Sequence, residues 1–148
     1  MILYLDTSSL VKLYAEEAGS DDVRDQVARA AIACTSVVAY AEARSALARR
    51  RREHGLTTAE HRRAKQALDR DWPKLLTLDV TGSLARRAGG LAEKRRLRGF
   101  DSLHLASFLA IYEEFDAEEV RFSSFDRGLN RAALNESRGG SAKGQAAP

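Results

Sequence analysis

Residues 2–14 read ILYLDTSSLVKLY, and the change of pattern inside this stretch decides the fold. Ile2 to Leu5 is a short apolar run of strand-forming residues. Asp6-Thr7-Ser8-Ser9 ends it with helix-capping side chains, and Leu10, Val11, Leu13 and Tyr14 follow at helical spacing. A strand that passes directly into a helix opens a βαβ unit, and the same alternation recurs downstream. Gly19-Ser20-Asp21-Asp22 caps a helix over Val23 to Ala30, and Ile32 to Thr35 is a second strand candidate. A long Ala/Arg-rich helix is expected from Val37 to His54, stopping at Gly55. Thr57-Thr58-Ala59-Glu60 is a capping-box signature for the next helix, which ends near Asp71 before Pro73. Leu75 to Val80 reads as a strand, Ser83 to Arg96 as a helix, Asp101 to Phe115 as an apolar helix and Val120 to Ser124 as a strand. Asp126 to Leu134 closes the pattern as a short helix. Strands separated by helices imply a parallel sheet covered on both faces, hence one α/β domain with four or five short strands. The expected domain is 1–136, with 137–148, which holds three glycines and no periodicity, as a flexible C-terminal tail.

The chain of 148 residues is long enough to bury about 70% of its unfolded surface without disulfide or metal support. Its single cysteine, Cys34, excludes an internal disulfide framework and fits a reducing compartment. Asp6 interrupts the N-terminal apolar run too early for a signal peptide, and no stretch reaches the 18 apolar residues of a membrane span. A cytoplasmic protein without membrane contact is expected. Lys+Arg number 24 and Asp+Glu 21, but the formal charge of +3 conceals a segregation. Arg44 to Lys65 holds eight basic residues against Glu53 and Glu60, and Arg86 to Arg98 holds six against Glu93. Two basic blocks set against an acidic remainder suggest an anionic partner such as nucleic acid, or else two solvated helix faces.

Asp6 follows the first strand and Asp126 the last; Asp101 opens the apolar helix. Each can be read as a helix cap, but a parallel sheet brings strand-terminal carboxylates to one edge, where α/β ligands bind. Glu42 lies within a helix with Val38, Ala39, Ser45 and Ala46 three and four positions away. None of these is basic, so its charge requires a partner from another element. Carboxylates gathered at one site repel by about 4 kcal/mol per pair at 4 Å and an effective dielectric near 20. A hard divalent cation relieves that repulsion. An acidic metal site flanked by basic segments is the arrangement that phosphodiester hydrolysis uses.

Four segments carry a family resemblance: ILYLDTSSLVKLY at 2–14, TSVVAYAEARSAL at 35–47, LRGFDSLHLA at 97–106 and FSSFDRGLNRAA at 122–133. In this order and spacing the chain resembles a PIN-domain ribonuclease, specifically the toxin of a VapBC-type toxin–antitoxin pair. The resemblance implies a PIN-like three-layer α/β/α domain. It implies that Asp6, Glu42 and Asp101 occupy the family's principal acidic positions and Asp126 the more variable fourth, together holding Mg²⁺ or Mn²⁺ for hydrolysis of single-stranded or loop RNA. Ser8 matches a small hydroxyl residue beside the first acid, and Ser124 stands where Thr is frequent. Ser102 replaces a common Ala. The resemblance further implies a cognate VapB-type antitoxin covering the acidic groove, and homodimers are common in the family. Arg44, Arg49, Arg95 and Arg98, from the two basic blocks, are the expected phosphate contacts.

His104 reads as a packed structural histidine, and His54 and His61 lack metal-ligand spacing. Trp72, Tyr40 and Tyr112 fit core packing better than base stacking, and Gly89-Gly90 lacks the strand that precedes a phosphate-binding loop. Two other readings compete with the nuclease. Asp6 as a phosphoryl-accepting nucleophile resembles haloacid-dehalogenase-like phosphatases, although Ser8 stands where those sites have a second Asp. The other is a non-catalytic RNA-binding or interaction module on the same fold.

Overall fold

The computed structural model describes residues 1–141. Four strands, β1 (Ile2–Leu5), β2 (Ile32–Ser36), β3 (Leu76–Leu78) and β4 (Val120–Ser123), form one sheet in the order β3-β2-β1-β4. All three pairings are parallel, with Ile2 opposite both Ile32 and Val120, and Cys34 opposite Leu76. The helices are α1 (Thr7–Leu10), α2 (Ser20–Arg29), α3 (Val38–Arg52), α4 (Thr58–Asp71), α5 (Gly82–Arg95), α6 (Gly99–Glu114) and α7 (Arg127–Ser141). Short 3₁₀ turns at Val11–Leu13 and Trp72–Lys74 supplement them.

Side-chain alternation along β1 divides the core into two layers. Ile2 and Tyr4 pack with Cys34 against Ala88 and Leu91 of α5, Leu105 and Phe108 of α6, and Leu129 of α7. Leu3 and Leu5 face the opposite way, onto Leu10, Val23, Ala39, Ala43 and Leu47, with Ala64 and Leu68 of α4 beyond. The result is the expected three-layer α/β/α arrangement. Cys34 is a free, buried thiol pushed up to about 12 by that burial, an inert core residue. Tyr40 and Trp72 pack edge-to-face at 5.2 Å, as expected of core aromatics.

The boundaries differ from expectation in four informative places. The first helix breaks after one α-turn into the Val11–Leu13 3₁₀ turn. The third strand is shorter than expected, at Leu76–Leu78. Helix α6 starts at Gly99 with Arg98 as its N-cap residue, so Asp101 lies inside the first turn and is not a cap. The last helix runs seven residues past Leu134, to Ser141, so the start of the expected tail at 137 is helical. Tertiary ties account for that extension: Glu136 pairs with Lys94 at 2.8 Å and Arg95 at 2.6 Å on α5. The remainder of the expected tail, 142–148, lies outside the described residues. Among the described residues no helix is long and apolar enough to cross a membrane.

The strand order places the functional edge. From β1 the chain moves through β2 to β3 at one side of the sheet, then returns past β1 to add β4 at the other. The carboxyl ends of β1 and β4 therefore flank the point where the topology reverses, the usual ligand crevice of an open parallel sheet.

Candidate active site

At that crevice lies a cleft of about 600 Å³ into which Asp6, Glu42, Asp101 and Asp126 all face as lining residues. Asp6 leaves β1 directly, and it is only 4% exposed. Its Oδ1 accepts the Ser8 hydroxyl at 2.7 Å and the Ser9 amide at 2.9 Å, which also caps α1. Its Oδ2 accepts the Ser124 hydroxyl at 2.6 Å. Ser8 and Ser124 thus stand where the sequence placed them, and Ser8 Oγ additionally accepts the Phe125 amide at 2.8 Å. Burial pushes the Asp6 carboxyl above its ordinary value, and the bonds from Ser124, Ser8 and Ser9 offset this only in part. Among the described residues no cation is paired with it.

Glu42 obtains the external partners its helix lacks. Its Oε1 accepts the Thr7 hydroxyl at 2.8 Å and His104 Nε2–H at 2.8 Å. The Tyr4 hydroxyl in turn lies 3.0 Å from His104 Nδ1. Tyr4 donating to Nδ1 and Nε2–H donating to Glu42 satisfies every atom of this chain. His104 is therefore the packed histidine expected, with the added task of holding Glu42 in place. Burial acts to raise the Glu42 carboxyl, but the bonds from His104 and Thr7, with the nearby positive charge of Arg98, bring it below its ordinary value.

Asp101 accepts from Arg98 Nε at 2.9 Å, one turn back on α6. The Arg98 guanidinium is held above its ordinary value by Asp101 first, then by the more distant charges of Asp126 and Glu42. Asp126 caps α7, its Oδ1 accepting the Leu129 amide at 2.7 Å. The cap readings of Asp6 and Asp126 therefore coexist with their place in the cleft.

All-oxygen donors of this kind suit a hard divalent cation. Among the described residues, however, no three or more His, Cys, Asp and Glu side chains are gathered closely enough to hold a metal ion as they stand. The hydrogen bonds explain the spacing: Glu42 is drawn to Thr7 and His104, Asp101 to Arg98, and Asp126 to its own helix.

The basic residues separate into two groups. Arg49 and Arg98 line the cleft. Arg44 and Arg95 do not: Arg44 donates to the Tyr40 hydroxyl at 2.7 Å near Asp69, and Arg95 binds Glu136. Helical phase explains the split, because positions 42, 45, 46, 49 and 50 share one face of α3, whereas Arg44 lies two residues from Glu42 and points elsewhere. The same phase identifies Arg50, a lining residue outside the initial set. Lys12, Thr7 and Phe100 also line the cleft. Lys12 and Arg50 share Glu17, at 2.9 and 2.7 Å, and both hold that carboxyl down against burial, which acts to raise it. Thr7 follows Asp6 directly, but its partner lies 35 residues away.

Comparison with known proteins bears on the fold and the family. The PIN domain family model matches residues 3–134. Ribonuclease VapC45 of Mycobacterium tuberculosis is 36% identical over 110 residues, covering 74% of this chain and 76% of the relative. Among solved structures, M. tuberculosis VapC20, described as a sarcin-ricin loop cleaving toxin, superposes with a TM-score of 0.63 at 19% identity. That match covers 88% of this chain and 94% of the other. A toxin–antitoxin complex from Klebsiella pneumoniae superposes with a TM-score of 0.57 at 13% identity, covering 84% and 86%. The two structures share the fold; the family model and the sequence relative carry the assignment further, and the chain belongs to the PIN-domain family, in its VapC branch.

Proposed function

We propose that this chain is the endoribonuclease toxin of a VapBC-type toxin–antitoxin pair. It hydrolyses RNA phosphodiester bonds with Mg²⁺, or Mn²⁺, held by Asp6, Glu42, Asp101 and Asp126. The observation that carries this reading is the meeting of four carboxylates from β1, α3, α6 and the β4–α7 junction in one cleft walled by Lys12, Arg49, Arg50 and Arg98. The oxygen donor set fits a hard cation, and Asp6, buried with hydroxyl and amide partners, is the acid with most to gain from one. A divalent cation at such a site neutralises phosphate charge and makes water a stronger acid.

The chain's own groups divide the remaining work. Ser8 and Ser124 fix the two oxygens of Asp6, one each, and Ser8 also ties down the Phe125 amide before Asp126. Thr7 and His104 fix Glu42 through a single oxygen, Oε1, so neither bond falls on Oε2. Arg49, Arg50, Arg98 and Lys12 supply positive charge for the phosphates of the bound strand.

Purified protein is expected to cleave RNA with Mg²⁺ or Mn²⁺, and to lose cleavage with chelator and in Asp6→Asn. Cleavage that survives both treatments would sink the mechanism. RNA binding without metal-dependent cleavage would instead make the chain a binding module. The cognate partner is a VapB-type antitoxin, whose binding is expected to suppress cleavage. A homodimer belongs to the same reading and is measured by light scattering.

A further inference from the structure

We propose that Phe100 and Phe125 are stacking platforms for the bases of an RNA strand lying in the carboxylate cleft. This rests on the ribonuclease reading above and adds the side chains by which the site holds the bases. Phe100 is 54% exposed and Phe125 46% exposed, and both line the carboxylate cleft. Each stands one residue before a cleft acid, in Phe100-Asp101 on α6 and Phe125-Asp126 at the β4–α7 junction. The other large apolar side chains of comparable exposure, Met1, Ile32, Val37, Leu76, Phe115 and Leu134, do not line it. The interior has no difficulty absorbing rings: Tyr4 stacks on Phe122 at 5.7 Å, and Phe108 packs on Phe122 at 4.8 Å. Phe115 is an exposed ring too, but away from the cleft; Phe100 and Phe125 are exposed within it.

Phe125 is also fixed in position. Lys12 Nζ lies 4.2 Å from its ring centroid. Gly19 backs it so closely that an added Cβ would come within 2.6 Å of the ring. Its backbone amide is held by Ser8. A ring immobilised before binding loses little further freedom when a base stacks on it. Arg49, Arg50 and Arg98 lie along the same cleft. Cations that track a backbone, with aromatic rings interleaved, form the pattern that engages single strands. A duplex keeps its base faces within its own stack and cannot use such rings.

The test reads binding and cleavage separately. Asp6→Asn protein, used to suppress turnover, is titrated into an unstructured RNA oligonucleotide carrying 2-aminopurine, whose fluorescence falls on stacking. The same is done with Phe100 or Phe125 changed to Ala, Leu or Trp, each checked by thermal melting. Alanine is expected to weaken binding by roughly 5- to 150-fold per lost stack and to remove the quench. Leucine, apolar but without a π face, should match alanine, and tryptophan should match phenylalanine. The same oligonucleotide sealed in a duplex should bind without dependence on either ring. Where Phe125→Ala fails to fold, the Leu and Trp pair decides. Unpaired RNA bound with unchanged affinity and quench by the alanine variants overturns the proposal and leaves the rings to a protein partner. Ring-dependent stacking without cleavage by the wild-type chain upholds this inference and defeats the nuclease reading; cleavage indifferent to both rings does the reverse.

Discussion

Asp6 and Glu42 line the same cleft, yet their surroundings push them in opposite directions. Burial dominates at Asp6 and raises it; at Glu42 the bonds from His104 and Thr7 overcome burial and lower it. The stability consequences have opposite sign. Folded Asp6 keeps its proton to higher pH than the unfolded chain does, so its contribution is present below the unfolded aspartate range and is lost as pH rises through the raised folded value. Glu42 contributes above the unfolded glutamate range, and that contribution is lost as pH falls through its lowered folded value. Asn in place of Asp6 keeps the shape and can still bond Ser8, Ser9 and Ser124 while carrying no charge. Asp6→Asn is therefore expected to abolish cleavage and, without divalent cations, to stabilise the fold at neutral pH by on the order of 1 kcal/mol. That corresponds to about 2–4 °C in Tm at this chain length. The gain should shrink as pH falls toward the ordinary aspartate range, near 3.9. Melting curves of both proteins across pH measure it, and a Tm difference that is negative or independent of pH would contradict the account.

Short elements carry the site, and their junctions are where substitutions matter. Gly19, the N-cap residue of α2, has φ +89°, and its missing Cβ makes room for Phe125. Gly19→Ala is expected to cost about 1–2 kcal/mol, from left-handed backbone and from displacement of the ring. In a double-mutant cycle with Phe125→Ala the ring's share should disappear and the backbone share remain. Fully additive costs would mean that the ring had simply moved aside. This junction also marks what the sequence makes legible. The strand-to-helix change at Asp6 was readable because propensity and capping agree within a few residues, and so was the Thr57–Glu60 capping box, which forms as expected. Glu42 could be recognised as lacking local partners, but Thr7 and His104, 35 and 62 residues away, could not be identified as the ones that answer it. The same holds at the last helix. Its apolar pattern weakens after Leu134 and two glycines follow, but Glu136 is secured by α5, so tertiary pairing carries the helix to Ser141.

At the scale of the molecule, the basic residues of the sequence do not form one surface, and counting them overstates the number that reach the substrate. Arg49 and Arg98 line the cleft; Arg44 and Arg95 are engaged with Tyr40 and Asp69 or with Glu136. Single-stranded RNA binding releases about 0.7 counterion per neutralised phosphate, so the slope of log affinity against log salt counts contacts. Arg49→Ala and Arg98→Ala are each expected to weaken binding of an unstructured RNA and to flatten that slope by about 0.7. Arg44→Ala and Arg95→Ala carry the same change in net charge, and on a charge-only account they would act alike. They should leave the slope within error and, in the case of Arg95, appear instead as a small loss of stability at the α5–α7 contact. Arg98 differs from Arg49 in also neutralising Asp101 at 2.9 Å. Its removal should change the divalent-ion dependence of cleavage as well as the salt slope, whereas removal of Arg49 should change the slope alone. Titrations of RNA affinity against monovalent salt, run for all four variants, separate these outcomes. Equal slopes for all four would mean that the field of the whole chain, and not the lining of this cleft, holds the substrate.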